Sequence, residues 1–138
     1  MDPISSASAT AFSGLDAQSI RMKVIAENIA NAQSTGKTAG SDPYRRRTVS
    51  FAATLDDARA GQVRVDQMGT DPSAFHIEQM PGHPAADAKG NVKLPNVDMI
   101  IEMADMKEAL RSYDANLQVI RQGREMLSGL ADLLRANG

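Results

Sequence analysis

Two apolar stripes at heptad spacing, one at each end of the chain, constrain this fold more than any other feature of the sequence. Toward the N-terminus, steps of four and three residues pick out Ile4, Ser8, Ala11, Leu15, Gln18, Met22, Ile25, Ile29 and Ala32. Toward the C-terminus they pick out Met99, Met103, Met106, Leu110, Tyr113, Leu117, Ile120, Arg124, Leu127, Ala131 and Leu134. Seven of the first nine and ten of the last eleven are apolar, the period of helices that pack along a seam. A helix rises about 1.5 Å per residue, so Pro3 to Gln33 would run roughly 45 Å and Val97 to Arg135 roughly 60 Å. A compact chain of 138 residues is only about 35–40 Å across. Helices of that length protrude from any globule the rest can make, so their stripes call for partners.

Local signals mark where the helices begin and end. Asp2-Pro3 reads as an N-cap followed by a first helical residue, and this helix is expected to fade through Ser34 and Thr35 to Gly36. A second helix is expected after Pro95, with Asn96 as its cap. There, Asp98, Glu102, Asp105 and Glu108 precede Arg111, Arg121, Arg124 and Arg135, the order that suits a helix dipole. Gly123 and Gly129 each cost about 1 kcal/mol in a helix interior, and they mark either tolerated weak spots or close helix-to-helix approach. Between the helices, Arg46–Phe51, Gln62–Met68, Phe75–Met80 and Asn91–Leu94 read as short strands separated by glycine and proline turns. The chain is thus mainly α. A helix lies in 1–35, a loop and short-strand middle in 36–95 and a second helix in 96–138. The two helices are expected to pair as a coiled-coil-like core layer.

Chemical motifs are scarce. His76 and His83, the only histidines, stand near Asp87, but neither spacing nor context matches a metal site, and exposed loop positions fit better. No phosphate-binding loop, dinucleotide glycine pattern or nucleophile elbow is present, so no cofactor is expected and an enzyme has no motif to rest on. Tyr44-Arg45-Arg46-Arg47 fits a phosphate contact, a solvated strand start or a protein contact. Net charge is −2, which argues against wholesale nucleic-acid binding. No apolar run reaches the roughly 20 residues of a membrane helix, and the first basic residue is Arg21, so neither membrane insertion nor a secretory signal is expected. Asn28, Asn31 and Asn116 are poor helix formers placed in helices. Asn28 and Asn116 flank the stripes, where an amide can pair across helices.

Several blocks resemble one family. Ser13-Gly14-Leu15-Asp16-Ala17-Gln18, Arg21-Met22 and Ala26-Glu27-Asn28-Ile29-Ala30-Asn31-Ala32 are similar to the N-terminal signature of bacterial flagellar rod and hook proteins. Asp42-Pro43-Tyr44-Arg45-Arg46, His83-Pro84, Leu94-Pro95-Asn96-Val97, Glu102-Met103-Ala104-Asp105-Met106 and Arg111-Ser112-Tyr113-Asp114-Ala115-Asn116 resemble the proximal-rod members in particular. The resemblance implies a subunit whose terminal helices pair in an inner layer, stacked helically into a hollow, torque-transmitting shaft, with the middle outside. It implies export by the flagellar type III apparatus without a cleaved signal, and a place in the periplasm-spanning rod. The implied partners are other rod subunits, further copies of the chain, a rod-base adaptor and the inner-membrane (MS) ring. On this basis the subunit interface is assigned to Leu15, Met22, Ile25, Asn28, Ile29, Asn31, Met103, Met106, Leu110, Tyr113, Asn116, Leu117, Ile120, Leu127 and Leu134. The stripes alone also suit a soluble helical adaptor or export-chaperone-like module that holds one partner reversibly.

Overall fold

A computed structural model describes residues 2–54 and 61–138. The order of elements is α1 (Pro3–Ala30), β1 (Arg47–Ala53), β2 (Val63–Thr70), β3 (His76–Gln79), β4 (Asn91–Leu94) and α2 (Met99–Ala136). Two long helices therefore enclose a small middle part. β1 and β2 form one antiparallel pair with an irregularity between Ser50 and Phe51, and β3 and β4 form another. The four strands fall within two residues of where the short runs between glycine and proline turns place them.

The helix ends differ from expectation in two places. α1 begins as read: Asp2 caps it by accepting from the Ser5 N–H at 2.8 Å, ahead of Pro3. It stops at Ala30 rather than fading to Gly36, because the Asn31 side chain donates to the Glu27 carbonyl and closes the last turn. α2 is capped by Asp98, not Asn96; the Asp98 carboxylate accepts from the Ile100 N–H at 2.9 Å. Asn96 is buried and committed elsewhere, so the cap moves two residues along.

α1 and α2 pack antiparallel. Asn28 lies against Glu102, Arg21 against Glu108, Gly14 against Asn116, and Ser8 and Ile4 against Gly123. The buried residues between them are mostly small: Ala11, Ala17, Val24 and Ile25 from α1, and Ala109, Ile120 and Gly123 from α2. This is a thin core that brings two backbones close together. A Cβ on Gly14 would sit 2.7 Å from Asn116 Nδ2, and one on Gly123 would sit 3.1 Å from Ser8 Oγ, whereas Gly129 has nothing within 4 Å. Close approach thus accounts for Gly123 and not for Gly129. Gly14→Val should destabilise the chain by about 1–3 kcal/mol through overpacking, and Asn116→Ala should recover part of the loss. Urea unfolding of the two single variants and the double variant checks this; strictly additive effects would place the strain elsewhere.

Candidate assembly interface

A buried polar cluster fixes how the helix pair meets the middle part. Each hydrogen-bonding position of the Asn28 side-chain amide is used. Its oxygen accepts from the Tyr44 hydroxyl at 2.7 Å and the Arg47 N–H at 2.8 Å, and its nitrogen donates to the Arg47 carbonyl at 3.0 Å and to Glu102 Oε2 at 3.5 Å. The paired bonds to Arg47 imitate a neighbouring strand, so α1 covers the start of the β1 edge. Glu102 on α2 is fully buried, and its carboxylate accepts from the Arg46 guanidinium. Arg46 also meets Asp71 at 3.5 Å and Asp105 at 3.7 Å. Asn96 accepts from the Arg46 N–H at 2.8 Å and donates to the Asp71 carbonyl at 3.0 Å, which ties in the loop before β3. Burial disfavours the Arg46 charge, but the hydrogen bond and charge of Glu102, with the charges of Asp71 and Asp105, together outweigh it and hold the guanidinium above its ordinary range. Burial and Glu27 push the Tyr44 hydroxyl up, which keeps it protonated as a donor.

The basic run is therefore internal scaffolding. Arg47 pairs with Glu27 at 2.6 Å, and Arg45 stacks over Phe75 with 4.1 Å to the ring centroid while donating to the Asp71 and Ser73 carbonyls. His76 lies on exposed β3, and half-buried His83 accepts at Nδ1 from the Ala85 N–H. Bonds from the Ser73 N–H and hydroxyl, with the Arg46 charge behind them, lower the Asp71 carboxyl below its usual range. A carboxyl lowered on folding adds stability that is present above its unfolded value and lost as pH falls through its folded one. The urea midpoint should thus fall on acidification from about pH 6 to about pH 3, and Asp71→Asn should flatten part of that slope. An unchanged slope in the variant would remove Asp71 from the account.

The structure sorts the assigned interface residues into three groups. Ile25, Asn28 and Ile120 are buried within the chain itself, and Leu15, Met22, Ile29, Asn31, Met106, Tyr113, Asn116 and Leu117 are half-buried. Only Met103, Leu110, Leu127 and Leu134 are exposed. Asn28 does reach across to α2, while Asn116 donates to Ser112 in its own helix and instead abuts Gly14. The stripe read on α2 shares Met106, Tyr113 and Ile120 with the face that meets α1 and departs from it by one residue at the positions between them. That face follows Glu102, Met106, Ala109, Tyr113, Asn116, Ile120 and Gly123, also in steps of four and three. Small Ala109 and Gly123 let α1 approach, which a stripe chosen for large apolar residues overlooks.

Beyond Gly123 the same steps continue through Leu127, Leu130 and Leu134, but α1, running antiparallel and beginning at Pro3, does not reach that far. The last turns of α2 thus form an overhang with Met126, Leu127, Leu130, Leu133 and Leu134 all exposed, Leu134 at 68%. Where α1 ends, a cavity of about 280 Å³ opens among Pro3, Ile4, Ala7, Val119, Gly123 and Met126. A second apolar group, Met99, Ile100, Ile101 and Met103, is exposed at the start of α2, Ile100 at 80%. Of these nine side chains, Ile100, Ile101, Met126, Leu130 and Leu133 lie outside the stripe read from the sequence. Extending the Gly123 spacing past the end of the shorter helix would have found Leu130. No helix among the described residues is long and apolar enough to cross a membrane. Exposed apolar surface of this kind marks a site of contact.

Comparison with known proteins points the same way. The family model described as "Flagella basal body rod protein" matches residues 9–36, and that described as "Flagellar basal body rod FlgEFG protein C-terminal" matches residues 88–133. The flagellar basal-body rod protein FlgC of Agrobacterium fabrum is 56% identical over 138 residues, spanning 99% of each chain. That of Yersinia enterocolitica is 42% identical over 116 residues, 83% of this chain and 86% of its own. That of Borreliella burgdorferi is 36% identical over 143 aligned residues, 91% of this chain and 93% of its own.

Proposed function

The chain belongs to the FlgC family of flagellar basal-body rod proteins, and we propose that it stacks with its neighbours through a coiled-coil-like inner layer made by α1 and α2. Membership makes it a structural subunit of the basal-body rod, assembling with other rod components, and not an enzyme. In the finer picture, 1–35 and 96–138 form the inner layer of a hollow shaft, and 36–95 lies outside it. Further copies, a rod-base adaptor and the MS ring are the neighbours. The subunit arrives in the periplasm through the flagellar type III export apparatus, and the shaft transmits torque.

One observation carries this picture: the packed face of α2 runs on through Leu127, Leu130 and Leu134, all exposed, with nothing opposite among the described residues. An apolar helix face in water lacks the packing that stabilises most protein helices. A neighbour that lays a helix along it supplies that packing. Of the assigned interface residues, Met103, Leu110, Leu127 and Leu134 are the ones left accessible for such contacts, and Ile25 and Ile120 act inside the subunit.

The test is retention. Basal bodies purified from cells carrying a tagged chain should keep it at fixed copy number through washing, whereas an adaptor is lost; loss on washing would overturn the rod assignment for this chain. A second expected result concerns the free chain in dilute solution. Circular dichroism should show less helix than the 28 and 38 residues of α1 and α2, with the shortfall mapped by hydrogen exchange to residues 124–136. Strong protection throughout that stretch would count against it.

A further inference from the structure

We propose that the opening turns of α2 carry a soft-metal site, in which the thioether sulfurs of Met99, Met103 and Met106 hold one copper(I) ion. Met103 is also one of the residues left accessible for a neighbouring subunit, so the bound ion belongs to the chain before it is built into a rod.

Spacing brings the three sulfurs together. Met99, Met103 and Met106 follow one another in steps of four and three along α2, which puts them on one face of the helix. Met103 stands roughly 6 Å along the axis from Met99 and roughly 4.5 Å from Met106. A methionine side chain turns about three bonds, so the outer two need lean only about 3 Å each to meet the sulfur of Met103. Helical side chains lean toward the N-terminus, which carries Met106 toward Met103. Met99 is the first residue of α2, so no preceding turn obstructs the opposite lean. Met99 and Met103 are exposed and Met106 is half-buried. An ion therefore reaches the sulfurs from water without any opening of the fold.

The surroundings select a soft cation. Asp98 accepts from the Ile100 and Ile101 N–H groups, Glu102 and Asp105 meet Arg46, and Glu108 meets Arg21 at 3.7 Å. The carboxylates on this stretch of α2 are thereby committed. No group of three or more His, Cys, Asp or Glu side chains able to hold a metal occurs among the described residues. Magnesium, calcium and zinc need oxygen, nitrogen or thiolate donors and have no ligand set here. What remains is neutral thioether sulfur, the donor that favours copper(I). Asp98, Glu102, Asp105 and Glu108 still lend negative charge to the region, which favours a cation. The positive end of the helix dipole acts within the first turn, and Met103, at the centre of the site, lies in the second. Lys107, one turn after Met103, is exposed and carries its ammonium out into water.

Anaerobic titration of the full chain with copper(I), against a competing chromophoric chelator, should show one ion bound per chain. Zinc(II) at the same concentrations should show none. Silver(I), an air-stable cation of the same charge and softness, should be added to chain labelled at its methionine methyl carbons. It should shift the NMR signals of Met99, Met103 and Met106 and leave those of Met68 and Met126 in place. Leucine matches methionine in volume, so Met103→Leu should keep the helix content and the thermal midpoint. Losing a group that merely orients a metal ligand costs about 10–100-fold in affinity, so losing Met103 itself should weaken copper(I) binding by about tenfold or more. Met126→Leu, far along the same helix, should leave it unchanged. Equal copper(I) affinity in Met103→Leu and the parent, or silver(I) shifts as large at Met68 and Met126 as at the other three, would overturn the proposal. Retention of the chain in purified basal bodies is scored separately, so the rod function stands whichever way the titration falls.

Discussion

Replacing Glu102 with alanine should lower stability by about 3–5 kcal/mol, because it leaves the Arg46 guanidinium inside the fold without its closest counter-charge. Arg46 would keep only Asp71 at 3.5 Å and Asp105 at 3.7 Å, both partly solvated. Asn28 would lose a partner in the same cluster. A chain of this size holds about 5–15 kcal/mol in all, so the loss is a large share of it. The thermal midpoint should fall by roughly 10–20 °C. Glu102→Gln keeps the shape and an acceptor and should cost less, about 1–3 kcal/mol. The decisive control is the paired change Arg46→Met with Glu102→Leu. Swapping a buried ion pair for apolar groups of similar size is often neutral, so this double variant should recover most of what Glu102→Ala loses. Should Glu102→Ala melt within a degree or two of the parent, the cluster would not be what joins helices to strands.

That cluster was the part of the molecule least legible in the sequence. Arg45, Arg46 and Arg47 read as one basic run, yet one stacks on Phe75, one reaches buried Glu102 and one pairs with Glu27. Nothing local distinguishes them, since each partner is at least 20 residues away. The same limit explains the helix cap. Asn96 and Asp98 are both good capping residues, and only the distant Arg46 N–H and the Asp71 carbonyl decide that Asn96 is taken. The strands were legible because the glycine and proline turns that bound them are local signals. The α2 seam was legible in period and at Met106, Tyr113 and Ile120, but one residue out at the positions between them. A helix with exposed Met103 and Leu110 on one side and buried Ala109 and Gly123 on another offers two stripes, and counting large apolar residues selects the more exposed one.

The phase correction changes which substitutions inform about assembly. Ile25 is 4% exposed and packed inside the subunit, so Ile25→Asp buries an unpaired charge and should unfold the chain whether or not a rod exists. Leu130 and Leu133 carry no such ambiguity, being 51% and 63% exposed with no α1 opposite them. Leu130→Asp combined with Leu133→Asp should leave the thermal midpoint within about 2 °C of the parent, as exposed substitutions usually do. The same pair puts two carboxylates where a neighbour's helix must pack dry, at a cost of at least a few kcal/mol per contact. Each copy in the rod repeats that penalty, so the expected outcome is not slower swimming but none, with basal bodies that lack the rod beyond this subunit. Motility in soft agar and electron microscopy of purified basal bodies measure it, with synthesis checked by immunoblot. Cells that swim normally on this stable double variant would leave the overhang without a role in the shaft.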